Sequence, residues 1–288
     1  MPIADPEPFL FSDLALSRRL EMAEGRSCAD FVEARAAVFP GSGARWIKVA
    51  GAYAMFDTPT SPVTQTFGLG LFEAPGEADL DVIETFFRER EAPVYHEVSP
   101  LADAGLPSLL SQRGYQPFEF TSVMFRRIFR RIFGGNAGLD GLSRPRNESL
   151  RVRLIQSKEQ ELWSQVAAKG WSEFTEFTDS IAELMLINSK RADGLAFLAE
   201  LDGRPIATGA MTISEGVALM AGASTIPEAR NQGAQRALLD TRLSYAAQQD
   251  CDLAMICAQP GSASQRNAER EGFRIAYTRI KWRLTNPR

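Results

Sequence analysis

The chain has 288 residues, a length that fits about two domains of ~150 residues each. Apolar residues make up 44% and charged residues 24%, the balance of a folded globular protein, and glycine and proline recur without the period of a collagenous rod. A formal net charge of −4 argues against a protein built to grip nucleic acid, which carries a basic excess.

Cys28, Cys251 and Cys257 are too few for a disulfide framework and form no C-x-x-C pair. His96 is the single histidine, so no zinc-type metal site is expected, and His-dependent nucleophilic catalysis would have to use His96 itself. No run approaches the ~20 apolar residues of a membrane span. The opening residues Met1 to Leu14 bear acid and proline rather than a signal pattern. The expectation is a reduced, soluble, cytoplasmic protein with neither a membrane nor a nucleic-acid partner.

In chain order, Leu80 to Arg90 reads as an amphipathic helix and the stretch from Pro93 as a strand, with His96 mid-strand as a partly buried, satisfied histidine. Leu109 to Arg126 reads as a short charged helix, a stop at Gly114, and an alternating strand opened by Tyr115. The run Arg126, Arg127, Arg130 and Arg131 reads as a solvated strand end. Gly134 to Ser149 is rich in Gly, Asn and Ser and reads as a linker.

Beyond it, Leu150 to Ile155 is a strand, and Lys158 to Lys169 and Asp179 to Arg191 are helices. Leu195 to Leu201 and Arg204 to Ile213 form a hairpin through Asp202-Gly203, and Glu215-Gly216 leads into a strand from Val217 to Thr225. A helix from Gln235 to Gln249 follows, then a strand from Asp252. Asn267 to Arg283 repeats the earlier unit, with Gly272-Phe273 in place of Gly114-Tyr115. The order helix, strand, helix, strand therefore occurs twice. The fold class is α/β with mixed sheets flanked by helices.

Chemistry concentrates in Ala221 to Leu239. A small-residue strand ends at Thr225, a proline turn follows, and Arg230-Asn231-Gln232-Gly233-Ala234-Gln235 opens a helix. Unpaired N–H groups at a helix start, with Arg230 and Arg236 nearby and Gly233 allowing close approach, suit a pyrophosphate. Neither a Walker loop nor G-x-G-x-x-G is present.

This Arg-x-x-Gly-x-Gln run opening a helix resembles the acyl-CoA loop of the GNAT N-acetyltransferase superfamily. The resemblance covers Leu150 to Leu284 well and the first half more weakly. It implies two GNAT-like modules, a degenerate one over 1–133 and an acetyl-CoA-binding one over 150–288, joined by the 134–149 linker. It also implies an acyltransferase that moves acetyl from acetyl-CoA to a primary amine of a small molecule or peptide by direct attack. Ser224, Thr225 and Ile226 would carry the pantetheine arm. Arg230, Asn231, Gln232, Gly233, Ala234, Gln235 and Arg236 would hold the pyrophosphate, and Ser264 and Asn267 would line the groove. A backbone N–H near Ala223 to Thr225 would meet the thioester oxygen.

The sequence departs from the family at two points. Gln235 stands where Gly or Ala is usual, and Ala268 where a tyrosine acid is often found. The strand Val217 to Thr225 holds no carboxylate, so the base must come from elsewhere. Glu173 and Glu176, set among Trp171, Phe174 and Phe177, are candidates, and Tyr277 is a candidate proton donor. An exposed loop carboxylate and a packing tyrosine are the competing readings. In the first half Glu73, Glu77, Asp79 and Asp81 crowd the equivalent helix start with no Arg or Lys in the same stretch. At an effective dielectric of ~20, each like-charge contact near 4 Å costs about 4 kcal/mol, so that half should keep the fold without the cofactor site. A non-catalytic acyl-CoA sensor is the alternative function.

Overall fold

The computed structural model describes residues 10–128, 149–172 and 178–285, with 178–180 as backbone only. The expected linker, apart from Ser149, lies outside these residues, as do Glu173, Phe174, Glu176, Phe177, Arg130 and Arg131.

Helix α1 (Leu14–Val38) is capped by Asp13, whose carboxylate accepts the Leu16 N–H at 2.8 Å. Its inward face mixes Leu16, Leu20, Ala23 and Val32 with the buried polar residues Ser17, Glu21, Ser27 and Arg35. The first half continues with β1 (Arg45–Val49), β2 (Ala52–Phe56), β3 (Gln65–Phe67) and α2 (Glu77–Arg88). It closes with β4 (Tyr95–Val98), α3 (Leu106–Gln112) and β5 (Tyr115–Arg127).

The second half runs β6 (Leu150–Leu154), α4 (Gln160–Trp171), α5 (Thr178–Lys190), β7 (Leu195–Leu201) and β8 (Arg204–Ser214). Then come β9 (Val217–Thr225), α6 (Ala234–Gln248), β10 (Leu253–Ala258), α7 (Ala263–Arg270) and β11 (Arg274–Leu284). The repeat seen in the sequence is the pair α2-β4-α3-β5 and α6-β10-α7-β11.

The two halves share one sheet of 11 strands, ordered β1-β2-β3-β4-β11-β5-β10-β9-β8-β7-β6. Their last strands are exchanged. β5 of the first half pairs with β10 of the second, from Leu253↔Arg127 to Ala258↔Ser122. β11 of the second half pairs with β4 of the first, from Ile280↔Val98 to Arg283↔Tyr95. β5 and β11 then pair with each other at the centre. The expected module sheets are thus fused, and each half is finished by a strand from the other.

Side chains alternate across this sheet and define two layers. On one face Ala52, Ala54, Phe87, Tyr115 and Trp282 pack around α2 and α3, while Met124, Phe197, Met211 and Leu238 pack around α6. On the opposite face α1 covers Val123, Phe125, Leu219 and Met255 with one end and Tyr53, Met55 and Phe67 with the other. α4 packs on Leu198 and Ala210 on this second face, its Trp163 Nε1–H donating to the Phe197 carbonyl at 2.9 Å.

Candidate active site

Strands β9 and β10 run parallel and pair only from Leu253↔Val217 to Met255↔Leu219; beyond that point they part. A bulge accompanies the parting. The β8–β9 register slips between Thr208↔Ser224 and Ala210↔Ala221, and Gly222 adopts φ +58 there. Arg242 of α6, fully enclosed, braces the bulge by donating to the Ala210 carbonyl at 3.0 Å and the Ala221 carbonyl at 3.3 Å. Burial without a carboxylate pulls its pKa down to about 10. Gly209 makes room for it, since a Cβ there would sit 3.1 Å from the guanidinium carbon. Sequence reasoning missed Arg242, because its partners are carbonyls of distant strands.

The end of β9 leads through a 3₁₀ turn (Pro227–Ala229) into a loop with Asn231 at φ +63 and Gly233 at φ +85. Left-handed residues this close together turn successive N–H groups toward one side, a concavity suited to anions. Gly233 is the N-cap of α6, and no side chain caps the helix. The first-turn N–H groups therefore keep their capacity for a ligand.

The site residues named from the sequence separate into two groups. Arg230, Asn231, Gln232 and Gly233 are exposed around the helix start, and Ala234 is buried behind them. Gln235 donates its Nε2–H to Thr225 Oγ1 at 2.8 Å, which turns its side chain back onto the strand end. Arg236 pairs with Glu271 at 3.3 Å, at the C-terminal end of α7. The Ser224 hydroxyl is committed inward, donating to the Ala167 carbonyl at 3.1 Å and bonding Thr208 at 3.0 Å, so only its backbone is left for a ligand. Ile226 is anchored through its N–H to Ile206 at 3.0 Å. Ser264 and Asn267 are exposed on α7, and Asn267 accepts from Arg270 at 3.1 Å.

Tyr277 lies elsewhere. It is buried beneath α1 on the face opposite α6, and its hydroxyl donates to Glu21 at 3.0 Å. Burial and that carboxylate push its pKa far above the usual phenol range. Around it sits a charged cluster the sequence did not reveal. Arg279 donates to Glu21 at 3.2 Å, to Glu24 at 2.7 Å and to Glu97 at 2.8 Å. Burial outweighs the guanidinium at Glu21 and pushes its carboxyl up to about 7; Glu97 is raised for the same reason.

In the first half the α2 carboxylates are not left to repel one another. Arg113 pairs with Glu77, with Asp81 at 2.6 Å and with Glu84 at 3.0 Å, and Asp79 accepts the Gly76 N–H at 2.8 Å. The helix start is thus countered in part from within the protein. His96 is fully buried, with no hydrogen-bond partner for either ring nitrogen among the described residues. That corrects the satisfied, partly buried histidine expected from the sequence. Burial pulls its pKa down to about 3. Among the described residues no group of side chains could hold a metal ion, and no helix is long and apolar enough to cross a membrane.

Strand divergence, bulge and uncapped helix start all fall within residues 159–273, which match the acetyltransferase (GNAT) family model. The second half of the chain therefore carries a GNAT acetyltransferase domain. Solved structures extend the likeness to the whole chain. A GCN5-related N-acetyltransferase from Kribbella flavida superposes with a TM-score of 0.60 at 20% identity, covering 91% of this chain and 96% of its own. A tandem GNAT protein from the clavulanic acid biosynthesis pathway gives 0.57 at 13%, covering 83% and 80%. A GCN5-related N-acetyltransferase from Sphaerobacter thermophilus gives 0.52 at 15%, covering 76% and 71%. At these identities the shared property is the fold. Among curated proteins, none matches this sequence.

Proposed function

We propose that the protein is an acetyl-CoA-dependent N-acetyltransferase of the cytoplasm, with its cofactor site in the second half (150–288) and none in the first (1–133). The observation that carries this reading is the uncapped start of α6 beside the parted ends of β9 and β10, inside the family-matched segment. The residues fit a pyrophosphate. Asn231 and Gly233 are both left-handed at the turn, and a Cβ at Gly233 would meet no protein atom within 4 Å. Arg230 is exposed beside them, and Gln235 and Arg236 are held to the rim. Acetyl-CoA supplies the activated thioester. The chain's part is to grip the diphosphate, to lay the pantetheine arm along Ser224 to Ile226, and to offer a backbone N–H near Ala223 to the thioester oxygen. A primary amine then attacks the thioester directly.

Isothermal calorimetry with CoA tests the reading: binding to the wild-type chain supports it, and no heat defeats it. A non-catalytic acyl-CoA sensor is favoured by one observation, Ala268 at the place of the tyrosine acid. Thiol release from acetyl-CoA with polyamines, aminoglycosides and peptide N-termini separates the two, the sensor giving binding without turnover.

A further inference from the structure

β9 holds no carboxylate, but one from a helix of the other half reaches β10 just past the point where the two strands part. Glu24 of α1 accepts from Arg279 Nη1 at 2.7 Å and from the Cys257 thiol at 3.3 Å. Cys257 is on β10 two residues past Met255, the last residue paired with β9, and so lies where the strands have parted. The rest of the cluster is sealed, with Glu21 1%, Glu97 4% and Arg279 1% exposed. The Glu24 side chain keeps 14% of its surface, and Cys257 is also partly exposed. The accessible side of the cluster is therefore the side at the strand opening.

We propose that Glu24 accepts the proton of the attacking amine, with Arg279 as its positioning residue, so that the first half completes the active site of the second. This rests on the acetyltransferase reading above. An ammonium group gives one proton to Glu24, its nitrogen bonds the acetyl carbon, the carbon–sulfur bond to CoA breaks, and the second nitrogen proton goes to the leaving thiolate. The acceptor class follows from charge. Glu24 is the accessible carboxylate of the cluster, so a compact cation is favoured at the opening over an anionic acceptor. The groups facing these carboxylates are Cys28 of α1, Glu119 of β5, Cys257 of β10, and Tyr277, Arg279 and Lys281 of β11, with Arg191 after α5 acting on Cys28 and Ser17 of α1 on Tyr277.

Chloroacetyl-CoA tests this without knowledge of the natural acceptor. It carries an electrophilic carbon at the acetyl methyl, and the partly exposed Cys257 is the nucleophile bonded to Glu24. Intact mass and peptide mapping of the full chain should show alkylation at Cys257, suppressed by excess CoA. Burial and the Glu24 carboxylate hold the Cys257 thiol well above its usual range, so Glu24→Gln should label at least as fast as the wild type, which fixes the place of the acetyl carbon but not the base. The base is read from thiol release with acetyl-CoA and the polyamine, aminoglycoside and peptide panel, which Glu24→Gln should lower at least tenfold while CoA affinity by calorimetry stays the same. Glu24→Asp, which keeps the charge but withdraws it by one methylene, should turn over at an intermediate rate; it decides alone if the glutamine variant does not fold. Wild-type turnover in the variant that folds, no turnover on any of these amines by the wild type, or label on another residue overturns the proposal. Failure of the wild-type chain to bind CoA overturns the acetyltransferase reading instead.

Discussion

Replacing Glu21 by glutamine should reshape the pH dependence of stability. In the unfolded chain this carboxyl titrates near 4.5, and in the native protein burial raises it to about 7. Below pH 4.5 both states hold the proton. Between 4.5 and 7 the native state still holds it while the unfolded state releases it. Above 7 the native state must bury a charge that Arg279 offsets only in part. Native stability contributed by this group is therefore full at low pH and is lost as pH rises through the window. A displacement of this size is worth about 3 kcal/mol between pH 4.5 and pH 8. Glutamine keeps the volume and an oxygen for the Tyr277 hydroxyl but cannot ionise. Urea denaturation at pH 4.5, 6 and 8 should show the wild type losing about 3 kcal/mol more than Glu21→Gln over that range. Glu97 is raised in the same direction and is present in both proteins, so most of its own contribution is common to the two curves. Parallel curves for the two would refute the assignment of a buried, protonating carboxyl.

His96 acts with the opposite sign: its native pKa is lowered to about 3, so stability is present above 6.5 and falls as the pH drops below it. His96→Leu should remove about 2 kcal/mol of that loss between pH 6.5 and 5, read from the same denaturation series. Gly233→Asp should abolish CoA binding by calorimetry while lowering Tm little. Its side chain meets no protein atom, and aspartate tolerates the left-handed backbone at about 1 kcal/mol. Glu77→Ala, at the carboxylate-rich start of α2 where Arg113 binds, should leave CoA affinity unchanged. Because β5 and β11 are exchanged, residues 149–288 expressed alone should give an insoluble or unfolded chain, and co-expression with 1–140 should restore a soluble complex on size exclusion.

The second half was legible because its signals are local. Asp202-Gly203 and Glu215-Gly216 both adopt positive φ, the two-residue turns that the alternating strands on either side announce. β7 and β9 fall at the residues expected, and α6 starts one residue before the predicted Gln235. α1 was hidden because it buries polar groups. Leu16, Leu20 and Ala23 keep helical spacing, but Ser17, Glu21, Ser27 and Arg35 share the inward face and blur the apolar stripe. The cluster beneath it was hidden for a second reason: Glu24 meets Cys257 across 233 residues and Arg279 across 255. Arg113 likewise reaches the α2 carboxylates from a different element, so the stretch from Glu73 to Asp81 seemed to lack a counter-charge. Strand exchange depends on pairing between halves, and no local pattern in β5 or β11 distinguishes a strand that stays home from one that crosses over.

That crossing restricts how the molecule can move. A hinge between the halves would shear the backbone ladders β4–β11, β11–β5 and β5–β10 together, tearing a continuous row of hydrogen bonds at the waist of the protein. Clamshell closure over a substrate is thereby forbidden. Entry and exit fall to rotamer changes and to segments at the rim, and Glu24 is delivered to the second half on a platform as stiff as the sheet itself.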